Sequence, residues 1–448
     1  MEYEHLIACH ECDWVFRRPP RLNGLVARCS RCGTRLTGIH RARPTLEFTC
    51  ALTVAALVTF LIAQGFPVIA LNADGMTSRA ALFDAVASLW TGHMRVVAVI
   101  VFCSTTLFPA MELVALLYVL VPLRLGRVPP CFRSALRFVQ WLRPWGMIEV
   151  FMLGVLVTTV KMVSLAQVIP GVALFAFGAL TVMLGAISLF DPHVLWEICD
   201  EVKTCRMSGV PRVKPHAERA AVLPTLRSTE PAATHGVSAR LAGWIACHTC
   251  GRVQERNEQA SHQCCSRCGA ALHDRLPNSV SRTTALVLAA ALLYIPANLL
   301  PVMHSTSLGR SEDDTILSGV AYFWTSGDWG LAAIVFIASV MVPMLKLAIL
   351  VLQTIAAHRR SAWRPLERTR LYRIVEFVGR WSMLDVFVVA LTVALVHFGS
   401  FAVIAAGPGA LAFGAVVVLT MLASMQFDPR LIWDHADHQA GVSPAEGS

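Results

Sequence analysis

The sequence predicts an all-α integral membrane protein of two parallel tandem repeats, each a small cysteine-bearing β module followed by a four-helix transmembrane bundle, with eight spans in total. Three observations carry this prediction. The chain is 55% hydrophobic and 15% charged with a mean hydropathy of +0.58, outside the range of soluble globular domains. Apolar runs fall near 46–71, 95–121, 146–167, 172–190, 283–303, 330–356, 381–401 and 410–427. Each is close to the roughly 20 helical residues that a ~30 Å hydrocarbon core requires. Short alternating segments of the kind a transmembrane β-barrel uses do not occur.

The third observation is that the chain is written twice. Cys9/Cys12 and Cys29/Cys32 return as Cys247/Cys250 and Cys265/Cys268. Phe66-Pro67-Val68 returns as Leu300-Pro301-Val302, Trp90-Thr91 as Trp324-Thr325, and Pro109 as Pro343. Trp145 and Met147 return as Trp381 and Met383, and Phe190-Asp191-Pro192 as Phe427-Asp428-Pro429. A period of about 236 residues is too long for a solenoid and marks a duplicated domain.

Arginines set the orientation. They crowd the N-terminal segment (Arg17 to Arg43), the loop after the second span (Arg124 to Arg143) and the loop after the sixth (Arg359 to Arg373). The intervening loops 72–94 and 304–329 carry only Arg79 and Arg310. Both termini and the central segment are therefore expected in the cytoplasm. The net charge of +9 is accounted for by this bias and by anionic lipid head groups, without nucleic acid. A charged, cysteine-bearing segment precedes the first span, so no cleavable signal peptide is expected. Boundaries follow at 1–45 for the first cysteine module, 46–192 for the first bundle, and 193–241 for a cytoplasmic linker. The second module is expected at 242–278, the second bundle at 279–433, and a disordered tail at 434–448.

Cys9-x-x-Cys12 and Cys29-x-x-Cys32 are sixteen residues apart, and Cys247-x-x-Cys250 and Cys265-x-x-Cys268 fourteen. Two such pairs close a tetrahedron of thiolates, so each module reads as a zinc ribbon, with two ions per chain. Gly33, Gly251 and Gly269 follow a ligand where a knuckle often needs positive φ. In the reducing cytoplasm metal binding is preferred to disulfides. Cys264 adjoins Cys265, but the match of Cys265-Ser-Arg-Cys-Gly to residues 29–33 selects Cys265. A site filled by four thiolates is structural.

Of only four lysines, Lys161 and Lys346 fall inside predicted spans, joined by Glu112, Glu149, Asp385 and His397. Aligning the halves pairs Glu112 with Lys346, Glu149 with Asp385, and Lys161 with His397. An ionisable group in hydrocarbon normally faces the bundle interior with a partner. Glu112 is expected to meet Lys346 across the pseudo-axis, or Lys346 to pair with Asp385 within its own half. The six residues serve either as ion pairs that fix helix register or as a polar substrate path or proton relay, with His397 titrating near neutral pH.

Segments 82–94 and 316–329 read as short amphipathic helices on the outer side, and Phe132–Trp141 and Leu366–Trp381 as helices lying on the inner lipid surface. Pro170-Gly171 and Gly407-Pro408-Gly409 read as tight turns between spans. No Gly-Lys dipeptide exists, which excludes a Walker A loop, and no dinucleotide or hydrolase motif sits on a suitable element. An enzyme is not expected.

Duplicated ribbon-plus-four-span halves, with Cys-x-x-Cys pairs ahead of the first and fifth spans and Phe-Asp-Pro closing each bundle, resemble the paraquat-inducible protein A family over about residues 5–435. That family includes the lipophilic envelope-spanning tunnel A proteins of Gram-negative inner membranes. The resemblance implies an inner-membrane component that moves phospholipids or other lipophilic molecules between the inner and outer membranes. It also implies an MCE-domain partner that builds a tunnel across the periplasm. The eight ribbon cysteines match the family pattern, whereas the six intramembrane residues rest on the physical argument alone. The alternatives are a non-transporting scaffold or stress-response protein whose ribbons are interaction modules, and, third, a thiol redox protein.

Overall fold

The computed structural model describes residues 6–17, 27–36, 42–73, 76–91, 95–163, 167–188, 190, 192–208, 237–257, 263–307, 310–327, 329–379, 387–388, 397–398 and 402–439. Five helices among them are long and apolar enough to cross a membrane: Leu46–Gly65, Arg95–Arg124, Ser279–Leu299, Ala332–His358 and Pro408–Gln426. A sixth span arises if Val172–Ser188 and the following helix, bent by 54° against it, count as one. Large apolar side chains such as Phe48, Leu61, Phe175, Leu292 and Leu299 stand exposed on these helices, as lipid-facing positions require. The third expected span is a shorter helix, Ile148–Val163, and most of the run 381–401 lies outside the described residues.

In the first half, α1 (Ala42–Gly65) packs along α7 (Val172–Ser188) and α4 (Phe108–Arg124). In the second, α9 (Ser279–Leu299) packs along α14 (Pro408–Gln426) and α12 (Val342–His358). The second span of each half carries one π-helical turn, Cys103–Leu107 and Ile337–Met341, just ahead of Pro109 and Pro343. Proline lacks the amide that would continue the ladder and its ring crowds the preceding turn, which the wider turn accommodates. Tyr294 Oη donates to the Val340 carbonyl of the second π turn at 3.2 Å. The two bundles meet where Phe387 packs edge-on to Phe151 of α6 (Ile148–Val163), ring centroids 5.7 Å apart.

The expected all-α fold is incomplete, because each bundle carries an antiparallel sheet at the end opposite the cysteine modules. In the first half β3 (Ile69–Ala73) pairs with β4 (Met76–Ala80) and β5 (Gln167–Pro170). In the second, β10 (Met303–Ser307) pairs with β11 (Arg310–Asp314) and β13 (Ala402–Ala406), and β12 (His397–Phe398) completes the sheet. β3, β5 and β13 continue the apolar runs of the spans, and a short apolar run does not distinguish strand from helix by periodicity. His397 therefore sits on a strand and not within a span.

The Pro-Gly sites, expected as tight turns between spans, are where a sheet strand hands over to a helix. A Cβ on Gly171 would stand 2.1 Å from the Pro67 carbonyl oxygen, and one on Gly407 2.2 Å from that of Pro301. Glycine at both positions lets the Gly171 amide reach Val68 O at 3.0 Å and the Gly407 amide reach Val302 O at 2.7 Å. The same contact thus occurs in each half.

The segments expected as a linker and a tail begin as helices, α8 (Pro192–Ser208) and α15 (Leu431–Gln439). Their carboxylates are held by arginines far away in sequence, which local composition does not reveal. The inner surface helices occur as α5 (Phe132–Leu142) and α13 (Pro365–Gly379); one face of each packs on protein, while Phe138, Trp141, Ile374 and Phe377 stand exposed on the other. Phe132, Leu136, Val139 and Leu142 are all buried.

Candidate functional site

Each cysteine module is built from paired knuckles. Asp13 N donates to Cys9 O, Gly33 N to Cys29 O, Gly251 N to Cys247 O and Gly269 N to Cys265 O, at 2.8–2.9 Å. The residue closing each turn has positive φ: Asp13 +60°, Gly33 +76°, Gly251 +70° and Gly269 +70°. Short strands frame the knuckles: β1 (Leu6–Ala8) with β2 (Val15–Arg17), β6 (Trp244–Ala246) with β7 (Val253–Glu255), and β8 (Gln263–Cys264) with β9 (Ala271–Leu272).

The sulfurs of Cys9, Cys12, Cys29 and Cys32 lie within 4.8 Å of one another, as do those of Cys247, Cys250, Cys265 and Cys268. The contacts Cys9–Cys32, Cys12–Cys29, Cys247–Cys268 and Cys250–Cys265 are each 3.5 Å. A tetrahedral site with Zn–S of about 2.3 Å sets its sulfurs roughly 3.8 Å apart, so both clusters fit such an ion with little adjustment. All eight cysteines are buried, whereas Cys264 is exposed on β8 and outside the cluster. The crowded thiols divide their protons unevenly: hydrogen bonds to Cys12 and to Cys250 bring Cys29 and Cys247 down to about 7. Each cluster can hold one metal ion.

The modules dock crosswise. The first, which precedes the first bundle in sequence, shares its apolar core with Tyr372, Phe427, Ile432 and Trp433 of the second half. The cysteines of the second join the core of the first half, beside Phe132, Leu136, Val139, Leu195 and Trp196. Equivalent ion pairs secure both docks. Arg31 reaches Asp437 on α15, and Arg267 reaches Asp200 on α8 with Nε–Oδ2 at 2.7 Å. The Arg31 guanidinium lies 4.4 Å from the ring centroids of both Trp14 and Trp433. The third residue of each module's first knuckle also meets the opposite bundle. Arg373 of α13 donates from Nε to both Glu11 oxygens at 2.8 Å, and Gln140 of α5 donates to Thr249 O at 3.1 Å.

A second layer of charge ties the modules together. Asp13 Oδ2 accepts from Arg275 at 3.1 Å, and its Oδ1 faces Arg430 at 3.5 Å. Arg275 also grips Asp434 of α15 at 2.9 Å and 2.5 Å. Burial pushes the Asp13 carboxyl up while Arg430 and Arg275 pull it down. Burial is the larger influence and leaves the carboxyl above the usual carboxylate range. Asp428, from the closing Phe-Asp-Pro, accepts from the amides of Leu276 and Arg430 at 3.1 Å and 3.0 Å.

The intramembrane residues are placed less tidily than the sequence suggests. Glu112 faces Arg143 of its own half, Oε1 to Nε at 3.7 Å, so the cross-axis pairing with Lys346 does not form. Lys346 is 2% exposed, and its Nζ has no hydrogen-bond partner among the described residues. It stands 3.2 Å from where a Cβ on Gly379 would be. Glu149 is exposed in the first turn of α6. Lys161 lies near the far end of α6, Asp385 falls outside the described residues, and His397 is on β12. Sequence reasoning missed Glu11, Asp13, Asp200, Arg275, Arg373 and Asp437. One signal was available: the arginine inside Cys29-Ser-Arg-Cys32 recurs inside Cys265-Ser-Arg-Cys268.

Membrane-spanning helices braced by two four-cysteine modules define a multi-pass membrane protein with paired candidate metal centres. Family comparison makes this specific: the profile of the paraquat-inducible protein A family matches residues 46–200 and 280–437, and the chain belongs to that family. It is 34% identical over 437 residues to the intermembrane transport protein PqiA of Escherichia coli K12, covering 96% of this chain and 95% of that one. It is 29% identical to the lipophilic envelope-spanning tunnel protein A of the same organism, covering 97% and 92%. A probable intermembrane transport protein of Haemophilus influenzae is 30% identical, covering 97% of both. No solved structure matches.

Proposed function

We propose that this protein is an inner-membrane component of a system that carries phospholipids or other lipophilic molecules between the inner and outer membranes. The observation that carries the reading is similarity along nearly the whole chain to relatives named as intermembrane transport proteins. In this reading eight spans form two parallel four-helix repeats. The arginine-rich ends and both modules face the cytoplasm, in keeping with the positive-inside rule, and the two sheets face the periplasm. There they would meet an MCE-domain tunnel protein.

Each module takes one zinc ion, through Cys9, Cys12, Cys29 and Cys32 and through Cys247, Cys250, Cys265 and Cys268. Four thiolates leave no open coordination position, so the ion contributes folding energy. An ion so enclosed has a structural role and not a catalytic one. The chain's own chemistry for a lipid centres on the second bundle. Lys346 presents a buried amine there, and an uncompensated charge at such depth costs several kcal/mol. A phosphate head group, or the Asp385 carboxylate, would satisfy it. Glu112 with Arg143 makes a register-fixing pair in the first bundle.

The test is purification with native lipids from cells. Mass spectrometry is expected to find bound phospholipid, enriched over bulk membrane, together with a periplasm-spanning partner. Recovery of neither would overturn the reading.

A further inference from the structure

We propose that the first cysteine module latches the second bundle: the ion held by Cys9, Cys12, Cys29 and Cys32 fixes α13 through Arg373, and α13 in turn walls in Lys346. This rests on the metal reading above and extends it to a role in the transport site.

Arg373 touches the knuckle itself. Besides gripping Glu11, it donates from Nη2 to the Cys32 carbonyl at 2.9 Å and contacts the Thr34 hydroxyl. That hydroxyl donates to Glu11 Oε2 at 2.9 Å and lies 3.0 Å from Cys32 Sγ. The guanidinium therefore reads a carbonyl and a hydroxyl whose positions follow a ligand sulfur. Charge-assisted bonds to the carboxylate make the grip strong.

The same helix is held along one face. Trp433 Nε1 donates to Thr369 Oγ1 at 3.0 Å, and Tyr372 Oη donates to Ser424 O at 2.8 Å. Positions 369, 372 and 373 lie together on a helix of 3.6 residues per turn. Gly379, the last residue of α13, ends about 9 Å along the helix from Arg373 and borders Lys346 Nζ. The anchors at Thr369 and Tyr372, and the bond from Arg368 Nε to Gln353 of α12 at 3.1 Å, all lie N-terminal to Arg373, so release at Arg373 loosens the last turns of α13, which border Lys346. Because the docking is crossed, metal in the first module bears directly on the second bundle and reaches the first only through the contacts between the modules.

The test is amine acetylation of the full-length protein in lipid nanodiscs, read by mass spectrometry and made tractable by a chain with only four lysines. Metal content is measured on the same samples. Lys346 acetylation is expected to rise about tenfold in Arg373→Gln, which keeps two ions, and in Cys9→Ser, which keeps one. Cys247→Ser is expected to leave Lys346 at the wild-type rate. Lys161 serves as the internal reference for global loosening. Wild-type acetylation of Lys346 in Arg373→Gln, or an equal rise at Lys161, overturns the latch. Metal-free wild-type protein would sink the metal reading alone, and the Arg373→Gln arm then decides the Arg373–α13 contact by itself.

Discussion

Arg267 of the second cysteine module reaches back to Asp200 below the first bundle at 2.7 Å, and Arg31 of the first makes the equivalent reach to Asp437 below the second. The two pairs are unequal. Asp200 is 40% exposed, whereas Asp437 is 11% exposed and Arg31 is stacked between two tryptophans. Losing a solvent-screened pair costs about 1 kcal/mol or less, while losing a shielded pair with two cation–π contacts costs about 2–3 kcal/mol. Thermal unfolding of the purified protein should therefore show a clearly larger drop for Arg31→Ala than for Arg267→Ala. Asp200→Arg should recover part of the loss in Arg267→Asp. Equal drops would contradict the unequal docks.

Both metal sites are expected to fill independently. Wild-type protein should carry two zinc ions per chain, and Cys9→Ser and Cys247→Ser one each, by elemental analysis. Cys264→Ser should keep both, because that thiol is exposed outside the cluster. A strong chelator should loosen both modules, since metal affinity is folding energy in a ribbon. One ion per chain in Cys264→Ser would reassign the ligand set.

Gly171→Ala and Gly407→Ala place a Cβ at 2.1 Å and 2.2 Å from backbone carbonyl oxygens that cannot turn aside. Each should destabilise the protein by about 3 kcal/mol, at the upper end of overpacking costs, and lower its accumulation in the membrane. Gly319→Ala, with open space around it, should accumulate normally. Normal accumulation of Gly171→Ala would contradict the strand-to-helix contact.

Gly379→Ala crowds a Cβ to 3.2 Å from Lys346 Nζ, the end of a flexible side chain. The protein should therefore fold and bind two ions while Lys346 shifts. An envelope-permeability assay is expected to show partial loss of function at normal protein levels. Full function would mean that the position of Lys346 is immaterial.

The cysteine sets were legible because knuckle chemistry is local: spacing and the following glycine are written in a few residues. Asp13 escaped that pattern because it replaces the glycine: its amide closes the knuckle on Cys9 O in the left-handed conformation, while its carboxylate meets Arg275 and Arg430. Most spans were legible from hydropathy. The sheets were not, since β5 and β13 extend apolar runs without a change in composition. Crossed docking was also hidden. Glu11 and Arg373 meet across more than three hundred residues, and nothing in local sequence says which bundle a module will sit under. Lining up the halves suggested that Glu112 should meet Lys346, but Arg143 is nearer to Glu112 and satisfies it first.

Transfer of labelled phospholipid tests the central claim most directly. Donor vesicles holding this protein, the periplasm-spanning partner and acceptor vesicles would be compared for wild type, Lys346→Ala and Asp385→Ala. The expected result is transfer with wild type and its loss in both variants, each still inserted and carrying two zinc ions. Transfer at the same rate with and without the wild-type protein would contradict the account.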